Sequence, residues 1–308
     1  MRICVIFNPA ARGNKARHFR RQLDAIGSQC ALKATAAPSD ARRLAAEAVG
    51  EGYDLIAAAG GDGTVNEVLN GLGDAPDGFA RARLGVLPLG TVNVFARELK
   101  IPLRLERAWE VLQRGREMKI DLPRVEFSAN GKTGRRYFVQ LAGAGLDARA
   151  IELVDWQHKK KVGPLAYVVA GLKALHETKP QITVREDPPS LKGSDEASAR
   201  PARHDFTGEL ALIGNGKFYG GPFEIFPQAG LRDGLLDVCI LPRVNWLTLL
   251  RSAPSLLARR KLPAGVARHF RSPAFELSGE SAFELDGEWV GKLPAKFFVE
   301  PEKLRVVC

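Results

Sequence analysis

The first 121 residues alternate between short apolar runs and longer amphipathic segments. The runs have the length and composition of buried strands, and the segments carry apolar positions three and four residues apart, as on one face of a helix. Predicted strands cover residues 2–7, 31–34, 54–60 and 84–90, and predicted helices cover about 15–26, 40–49, 64–72, 91–99 and 105–113. This alternation predicts a parallel sheet with helices on both faces, and therefore an α/β domain over residues 1–121.

A different pattern begins at about residue 122, where strand-like segments follow one another. They cover residues 124–127, 137–142, 181–185, 208–213, 235–241, 274–277, 282–285 and 296–300, with helical patterns only at 164–176 and 247–262. Turn signals such as Asp286-Gly287 separate several of them. The pattern predicts a mostly antiparallel β domain over residues 122–300, with an exposed, mobile loop at 186–204. The C-terminal tail, about residues 301–308, could return to the first domain.

The glycine-rich turn after the third strand is the strongest candidate site. It reads Gly60-Gly61-Asp62-Gly63-Thr64 and leads into an amphipathic helix. Glycines let the backbone approach an anion, and a helix start offers free N–H groups. Thr64 and Glu67 have capping-box spacing, which predicts that the helix begins behind Thr64. An ordinary βα turn is the alternative interpretation, but the carboxylate of Asp62 suits a site for a metal or a hydroxyl better than it suits a plain turn. The segment contains neither a Walker motif nor a Gly-x-Gly-x-x-Gly motif.

The composition favours a basic globular protein. The net charge is +10 with a pI of about 9.6, and 45% of the residues are hydrophobic. Such a charge favours contact with a nucleic acid, an acidic lipid surface or a phosphorylated ligand, although solubility explains many basic surfaces. The N-terminus has no signal-peptide pattern, and no run approaches the roughly 20 apolar residues of a membrane span. The widely spaced cysteines fit a reduced, cytoplasmic setting, with Cys4 and Cys239 in the core.

Four motifs occur in a recognisable order. Asn8-Pro9 ends the first strand, the 60–64 turn follows the third, and residues 88–93 read Pro-Leu-Gly-Thr-Val-Asn. Late in the chain, Leu285-Asp286-Gly287-Glu288 precedes Gly291-Lys292-Leu293-Pro294. Together they resemble the diacylglycerol kinase catalytic-domain family, and more closely its soluble bacterial lipid kinases related to sphingosine kinases. The resemblance covers nearly the whole chain.

The resemblance implies a fold and a set of functional residues. The N-terminal domain would be similar to those of NAD kinases and phosphofructokinases, the C-terminal domain would be an antiparallel β-sandwich, and ATP would bind in the cleft. Glu288 is the implied base, with Asp286 second, and Asp62 would help to organise Mg²⁺ and phosphates. The implied metal ligands are Gly230, Asp233 and Leu235. The implied nucleotide contacts are Asn8, Pro9, Ala10, Ala11, Arg12, Thr35, Gly61, Asp62, Gly63, Thr64, Val65, Asn66, Glu67, Gly90, Thr91 and Asn93.

Some features leave other functions open. Plain Asp-Gly turns are the alternative explanation for the segments of Asp233 and Asp286. Val94 replaces an acid of the family pattern, and Arg12 stands in place of a glycine. The sequence therefore predicts an ATP- and Mg²⁺-dependent lipid kinase, acting on diacylglycerol or a related lipid, with two alternatives. One is an NAD kinase-like enzyme, and the other is a non-catalytic nucleotide- or lipid-binding regulator. Nucleic-acid binding rests on net charge alone and is not expected.

The lipid substrate implies a membrane surface as partner. Basic residues cluster at 15–21, 158–161 and 259–261, and each could contribute on the order of 1 kcal/mol at an anionic surface. Leucines between 247 and 257 could add apolar contact, but packing of that helix onto the sandwich is the favoured interpretation. We therefore expect a cytoplasmic protein with peripheral membrane association and no transmembrane segment. A homodimer is one assembly open to the chain.

Overall fold

The computed structural model describes residues 1–9, 22–24, 26–129, 131–153, 180–186 and 205–308. Ala10, Ala11, Arg12 and the predicted helix at 164–176 lie outside these residues, as do the basic clusters at 15–21 and 158–161 and nearly all of the predicted loop at 186–204. Most of the helix predicted at 15–26 also lies outside them.

The N-terminal domain is built on four parallel strands, as the alternating pattern predicts. They are β1 (Ile3–Phe7), β2 (Ala31–Ala34), β3 (Leu55–Gly60) and β4 (Arg83–Pro88), in the order β2-β1-β3-β4. The helices are α1 (Asp40–Gly50), α2 (Asp62–Asp74), α3 (Gly78–Arg81), α4 (Val94–Glu98) and α5 (Leu105–Arg114). Strands β1 and β3 are almost completely buried, which is why their sequences are continuous apolar runs. The α/β prediction is confirmed.

Helix α2 begins three residues earlier than its capping-box pattern predicts. Gly61 is the N-cap, without a side-chain cap hydrogen bond, and Thr64 lies inside the helix. The capping-box prediction is wrong because Glu67 has a different partner. Its carboxylate accepts hydrogen bonds from the N–H groups of Ser39 and Ala41, at 3.1 and 3.0 Å, and thereby caps α1.

The C-terminal domain has an apolar core between its two larger sheets, and a short two-stranded sheet lies beside them. Its strands are β5 (Glu117–Ala129), β6 (Lys132–Tyr137), β7 (Leu141–Gly145), β8 (Ile182–Glu186), β9 (Asp205–Gly208), β10 (Leu210–Gly214), β11 (Phe218–Tyr219), β12 (Phe223–Glu224), β13 (Leu236–Leu241), β14 (Arg268–Ser272), β15 (Ala274–Ser278), β16 (Ala282–Leu285), β17 (Glu288–Lys292) and β18 (Ala295–Val307). Six of them form an antiparallel sheet in the order β14-β13-β10-β7-β16-β17. Side chains from this sheet and from β5, β8, β15 and β18 form the core of the predicted sandwich.

Two long strands join the domains. β5 crosses the predicted boundary at residue 121, and β18 pairs antiparallel with β5 along most of its length. Near its end, Val306 of β18 pairs in parallel with Leu84 of β4. One ten-stranded sheet therefore runs through both domains, and the tail at 301–308 lies in it.

The remaining described elements are helices α6 (Leu146–Leu153) and α7 (Trp246–Arg259). The strand predicted at 137–142 is wrong, since the chain leaves the sheet at residues 138–140, between β6 and β7. Cys4 and Cys239 are buried, as predicted. Among the described residues, no helix is both long and apolar enough to cross a membrane.

Candidate active site

Three loops meet at the carboxyl ends of β1, β3 and β4. The N–H of Asn8 donates to the carbonyl of Ala59 at 3.3 Å, and those of Leu89 and Gly90 donate to the carbonyl of Gly60 at 2.8 and 3.0 Å. Parallel strands place these loops at one edge of the sheet, which is where open α/β sheets bind ligands. The structure therefore brings together the three N-terminal motifs that the sequence singles out.

The turn of Gly61 and the loop of Gly90 are in direct backbone contact. A Cβ on Gly90 would overlap the Cα of Gly61, so a larger residue would force the two loops apart. Asn93 closes the second loop, because its Nδ2 donates to the Gly90 carbonyl at 2.8 Å and its Oδ1 accepts from the Gly90 N–H at 2.9 Å. Thr91 is exposed in this loop. Thr35 follows β2, which is separated from β4 by two strands in the sheet order, and its N–H donates to the carbonyl of Phe7 at 2.9 Å.

The Asp62 carboxylate points at the start of α4. Its Oδ1 accepts from the N–H of Phe95 at 3.2 Å. Burial raises the pKa of Asp62, whereas backbone N–H groups of residues 93–95 act in the opposite direction by stabilising the ionised form. Val94, the departure from the family pattern, is buried and takes part through its backbone. Asp62 thus ties the first glycine loop to the second.

Glu288 brings the second domain to the first turn of α2. It is the first residue of β17 and is half-buried. A Cβ built on Gly63 would lie 2.6 Å from Glu288 Oε1, so the carboxylate lies directly against the helix start. Helix N-termini attract negative charge. The structure thus places the implied base beside the implied phosphate loop.

Asp286 is buried and acts as an anchor between the two domains. Its Oδ2 accepts from Asn66 Nδ2 at 2.8 Å and from the N–H of Val139 at 2.9 Å. Its Oδ1 accepts from the N–H groups of Gln140 and Leu141 at 3.0 and 3.1 Å. Burial raises its pKa to about 6, although these four donors favour the ionised form. The bonds also explain why residues 138–140 leave the sheet.

A buried acidic cluster adjoins this turn and was not predicted. The Tyr219 hydroxyl lies 2.6 Å from Asp147 Oδ2 and 3.0 Å from Glu284 Oε1. Glu284 Oε2 accepts from the N–H of Gly287 at 2.7 Å. Burial raises the pKa of both carboxyls, and that of Glu284 lies well above its usual range. A Cβ on Gly143 would overlap the side chains of this cluster. The glycines of β7 are therefore the feature of the sequence from which the cluster could have been predicted.

Arg136 of β6 is a second group that the sequence did not indicate. Burial lowers its pKa, as does the charge of Arg42, whereas the charges of Glu288, Asp74 and Glu67 raise it. Within the described part of the chain, its buried Nε has no hydrogen-bond partner. A guanidinium in such surroundings is suited to bind an anionic oxygen supplied by a ligand.

The implied metal loop is held by protein groups. Asp233 Oδ2 forms an ion pair with Arg271, and Asp233 Oδ1 accepts from the N–H of Leu235 at 3.1 Å. Asp121 accepts from the N–H of Gly234 at 2.7 Å, which closes the turn. Because both oxygens of Asp233 are engaged and Arg271 neutralises its charge, the loop fits a structural turn better than a cation site. No described group of three or more acidic, histidine or cysteine side chains could hold a metal.

Comparisons with known proteins identify the family of this chain. The model of the diacylglycerol kinase catalytic domain matches residues 2–125, and that of the YegS C-terminal NAD kinase beta sandwich-like domain matches residues 140–308. A diacylglycerol kinase of Staphylococcus aureus (strain bovine RF122 / ET3-1) is 32% identical over 306 residues, which cover 95% of this chain and 88% of the relative. The chain belongs to the diacylglycerol kinase family.

Further relatives carry the same description. A diacylglycerol kinase of Staphylococcus saprophyticus is 30% identical over 304 residues, covering 95% of this chain and 90% of that protein. The crystal structure of a diacylglycerol kinase from Bacillus anthracis str. Sterne superposes with a TM-score of 0.74 at 21% identity, covering 99% and 96% of the two chains. The family names support a kinase, and the structural likeness supports the two-domain fold.

Proposed function

We propose that this member of the diacylglycerol kinase family transfers the γ-phosphate of ATP to a hydroxyl of diacylglycerol or a related lipid. The contact between Glu288 and Gly63 carries the proposal, because it joins a candidate base from one domain to the phosphate loop of the other. Phosphoryl transfer depends mainly on positioning and on neutralising charge. A site at which these two groups, one from each domain, lie against each other meets both requirements.

The N-terminal loops would hold the nucleotide. The N-cap residue of α2 is Gly61, and no side chain caps the first turn of this helix. The backbone N–H groups of that turn are therefore suited to bind a phosphate. Arg136 is available to a phosphate oxygen near Glu288, where its charge would oppose the negative charge of the γ-phosphate. Mg²⁺ bound with ATP would neutralise further phosphate charge; we assign it to the nucleotide rather than to the Asp233 loop.

Glu288 and Asp286 have different roles in this proposal. Glu288 accepts the proton of the attacking lipid hydroxyl, a contribution of about 10²–10⁴-fold for a positioned base. Asp286 is a positioning residue, because its four hydrogen bonds hold the turn that carries Glu288 against α2. Asp62 acts in the same way within the N-terminal domain, where it fixes the two glycine loops to each other.

Phosphate transfer from labelled ATP to diacylglycerol vesicles tests the proposal, with NAD offered in a parallel reaction. We expect labelled lipid, and we expect Glu288→Gln to slow transfer by at least 100-fold with ATP binding retained. Glu280→Gln, the same change at an exposed turn, is the matched control. Phosphorylation of NAD alone would favour the NAD kinase-like alternative. ATP binding without transfer to either acceptor would favour a non-catalytic regulator.

A further inference from the structure

Helix α7 has two apolar faces. On the inner face, Leu249 and Leu256 pack against the buried cluster that contains Leu241 and Val244, and Ser252 is buried beside them. This packing agrees with the interpretation favoured from the sequence. It accounts for only part of the leucines in the helix.

The outer face of α7 presents leucines to solvent. Leu247, Leu250 and Leu257 are 73%, 69% and 82% exposed, and Trp246 is 49% exposed. At 100° per residue, these four side chains and Pro254 fall within about 100° of arc, opposite the inner face. Surface helices ordinarily carry polar residues on the solvent side. Packing onto the sandwich therefore fails to explain this outer face, which has the character of a contact surface.

The segment that carries this face has charged side chains of one sign, although Glu209 and Glu224 from other parts of the fold contact Val244 and Lys261 near its two ends. Residues 238–275 contain no Asp or Glu and seven Lys or Arg. Lys261 pairs with Glu224 at 2.8 Å and Arg271 with Asp233 and Asp237. Within the described part of the chain, no ion pair involves the other basic residues of this segment, which are exposed: Arg243, Arg251, Arg259, Arg260 and Arg268.

We propose that α7 docks this protein on an anionic lipid bilayer, with the outer leucines in the interface and the arginines on lipid headgroups. An apolar stripe combined with unpaired basic residues, in a segment that itself contains no Asp or Glu, is typical of an interfacial helix. A second copy of the chain would bring the same positive charge to the face, which disfavours self-association there. The partner must therefore offer an apolar surface and negative charge together, as an anionic lipid bilayer does.

The docking face is connected to the candidate active site through the β11–β12 hairpin. The N–H of Glu224 donates to the carbonyl of Arg260, at the end of α7, at 2.7 Å. The same hairpin carries Tyr219 into the acidic cluster, and the N–H of Phe218 donates to Glu98 of α4 at 3.2 Å. This inference rests on the proposed lipid kinase function, since it supplies the surface from which a lipid substrate would reach the site.

Sedimentation with vesicles tests the docking directly. The full chain should bind vesicles containing phosphatidylglycerol more tightly than pure phosphatidylcholine vesicles, and high salt should weaken the binding. Leu250→Gln and Leu257→Gln should each reduce the affinity about tenfold, which corresponds to ~1.4 kcal/mol. Leu103→Gln, at a leucine that is 42% exposed outside α7, is the matched control and should bind as the unaltered protein does. Equal binding by all variants would overturn the proposal.

A second assay separates docking from catalysis. The Leu250→Gln and Leu257→Gln variants should phosphorylate a short-chain diacylglycerol dissolved as a monomer at the normal rate, and vesicle-borne diacylglycerol about tenfold more slowly at limiting vesicle concentration. Transfer to neither acceptor by the unaltered protein would refute the kinase proposal and leave the sedimentation result intact. A dimer that both variants convert to monomers, with vesicle binding unchanged, would identify α7 as a self-association surface and overturn the docking proposal.

Discussion

Replacing Gly63 with alanine tests the contact on which the proposed mechanism depends. The new methyl group would lie 2.6 Å from Glu288 Oε1, whereas ordinary contacts begin at 3.4 Å. The carboxylate would have to retreat by the difference, about 0.8 Å, and a misplacement of about 1 Å can slow a reaction by roughly 100-fold. Gly63 lies in the first turn of α2, where alanine is a better helix former by roughly 0.5–1 kcal/mol. We therefore expect transfer to be roughly 100-fold slower in a protein that is no less stable.

The assay combines steady-state phosphate transfer with urea unfolding. Gly50→Ala is the control, because Gly50 also lies in a helix and a Cβ there would meet nothing within 4 Å. In a Glu288→Gln background, Gly63→Ala should add little further loss, since both changes act on one contact. Full activity of Gly63→Ala in the otherwise unaltered protein would refute the role assigned to this contact.

Three further predictions concern carboxylates around the site. Because the pKa of Asp286 is raised to about 6, its contribution to folding is greatest while it is protonated and falls as pH rises. Urea unfolding should therefore show that the unaltered protein loses about 1.4 kcal/mol of its stability advantage over Asp286→Asn between pH 5 and pH 8. Asp77→Asn is the control, because Asp77 is an exposed aspartate with a similar positive φ. Glu67→Gln should lower stability by about 1 kcal/mol through loss of the α1 cap and leave ATP affinity unchanged, and weaker ATP binding would support a nucleotide role instead. Asp233→Asn should lower stability by breaking the ion pair with Arg271, with an unchanged Mg²⁺ titration of activity; a higher Mg²⁺ requirement would support the metal loop.

Local patterns were sufficient to predict most of the N-terminal domain. The strand that ends at Gly60 and the helix behind it are specified by residues within one short segment, so their order and type could be predicted. The partner of Glu67 could not, because Ser39 and Ala41 lie 28 and 26 residues away in the chain. The capping-box spacing is present in the sequence, but in the fold the Glu67 carboxylate accepts from the N–H groups of Ser39 and Ala41 instead.

The errors in the C-terminal domain have the same cause. Residues 137–142 are apolar enough for one strand, but the backbone between β6 and β7 turns to donate to Asp286, about 145 residues later. Helix α7 shows a different limit. Its leucines lie on both faces, so periodicity could not decide which face is buried, and only the fold shows that Leu249 is inside and Leu250 outside.

In the proposed reaction, a lipid hydroxyl accepts the γ-phosphate beside Glu288, at the first turn of α2. The most direct test is the rate of labelled phosphate transfer from ATP to diacylglycerol, compared between the unaltered protein and Glu288→Gln with NAD as the competing acceptor. We expect labelled phosphatidic acid from the unaltered protein, at least 100-fold less from Glu288→Gln, and no labelled NADP. Phosphatidic acid formed equally fast by Glu288→Gln, or label found only in NADP, would contradict the proposed reaction.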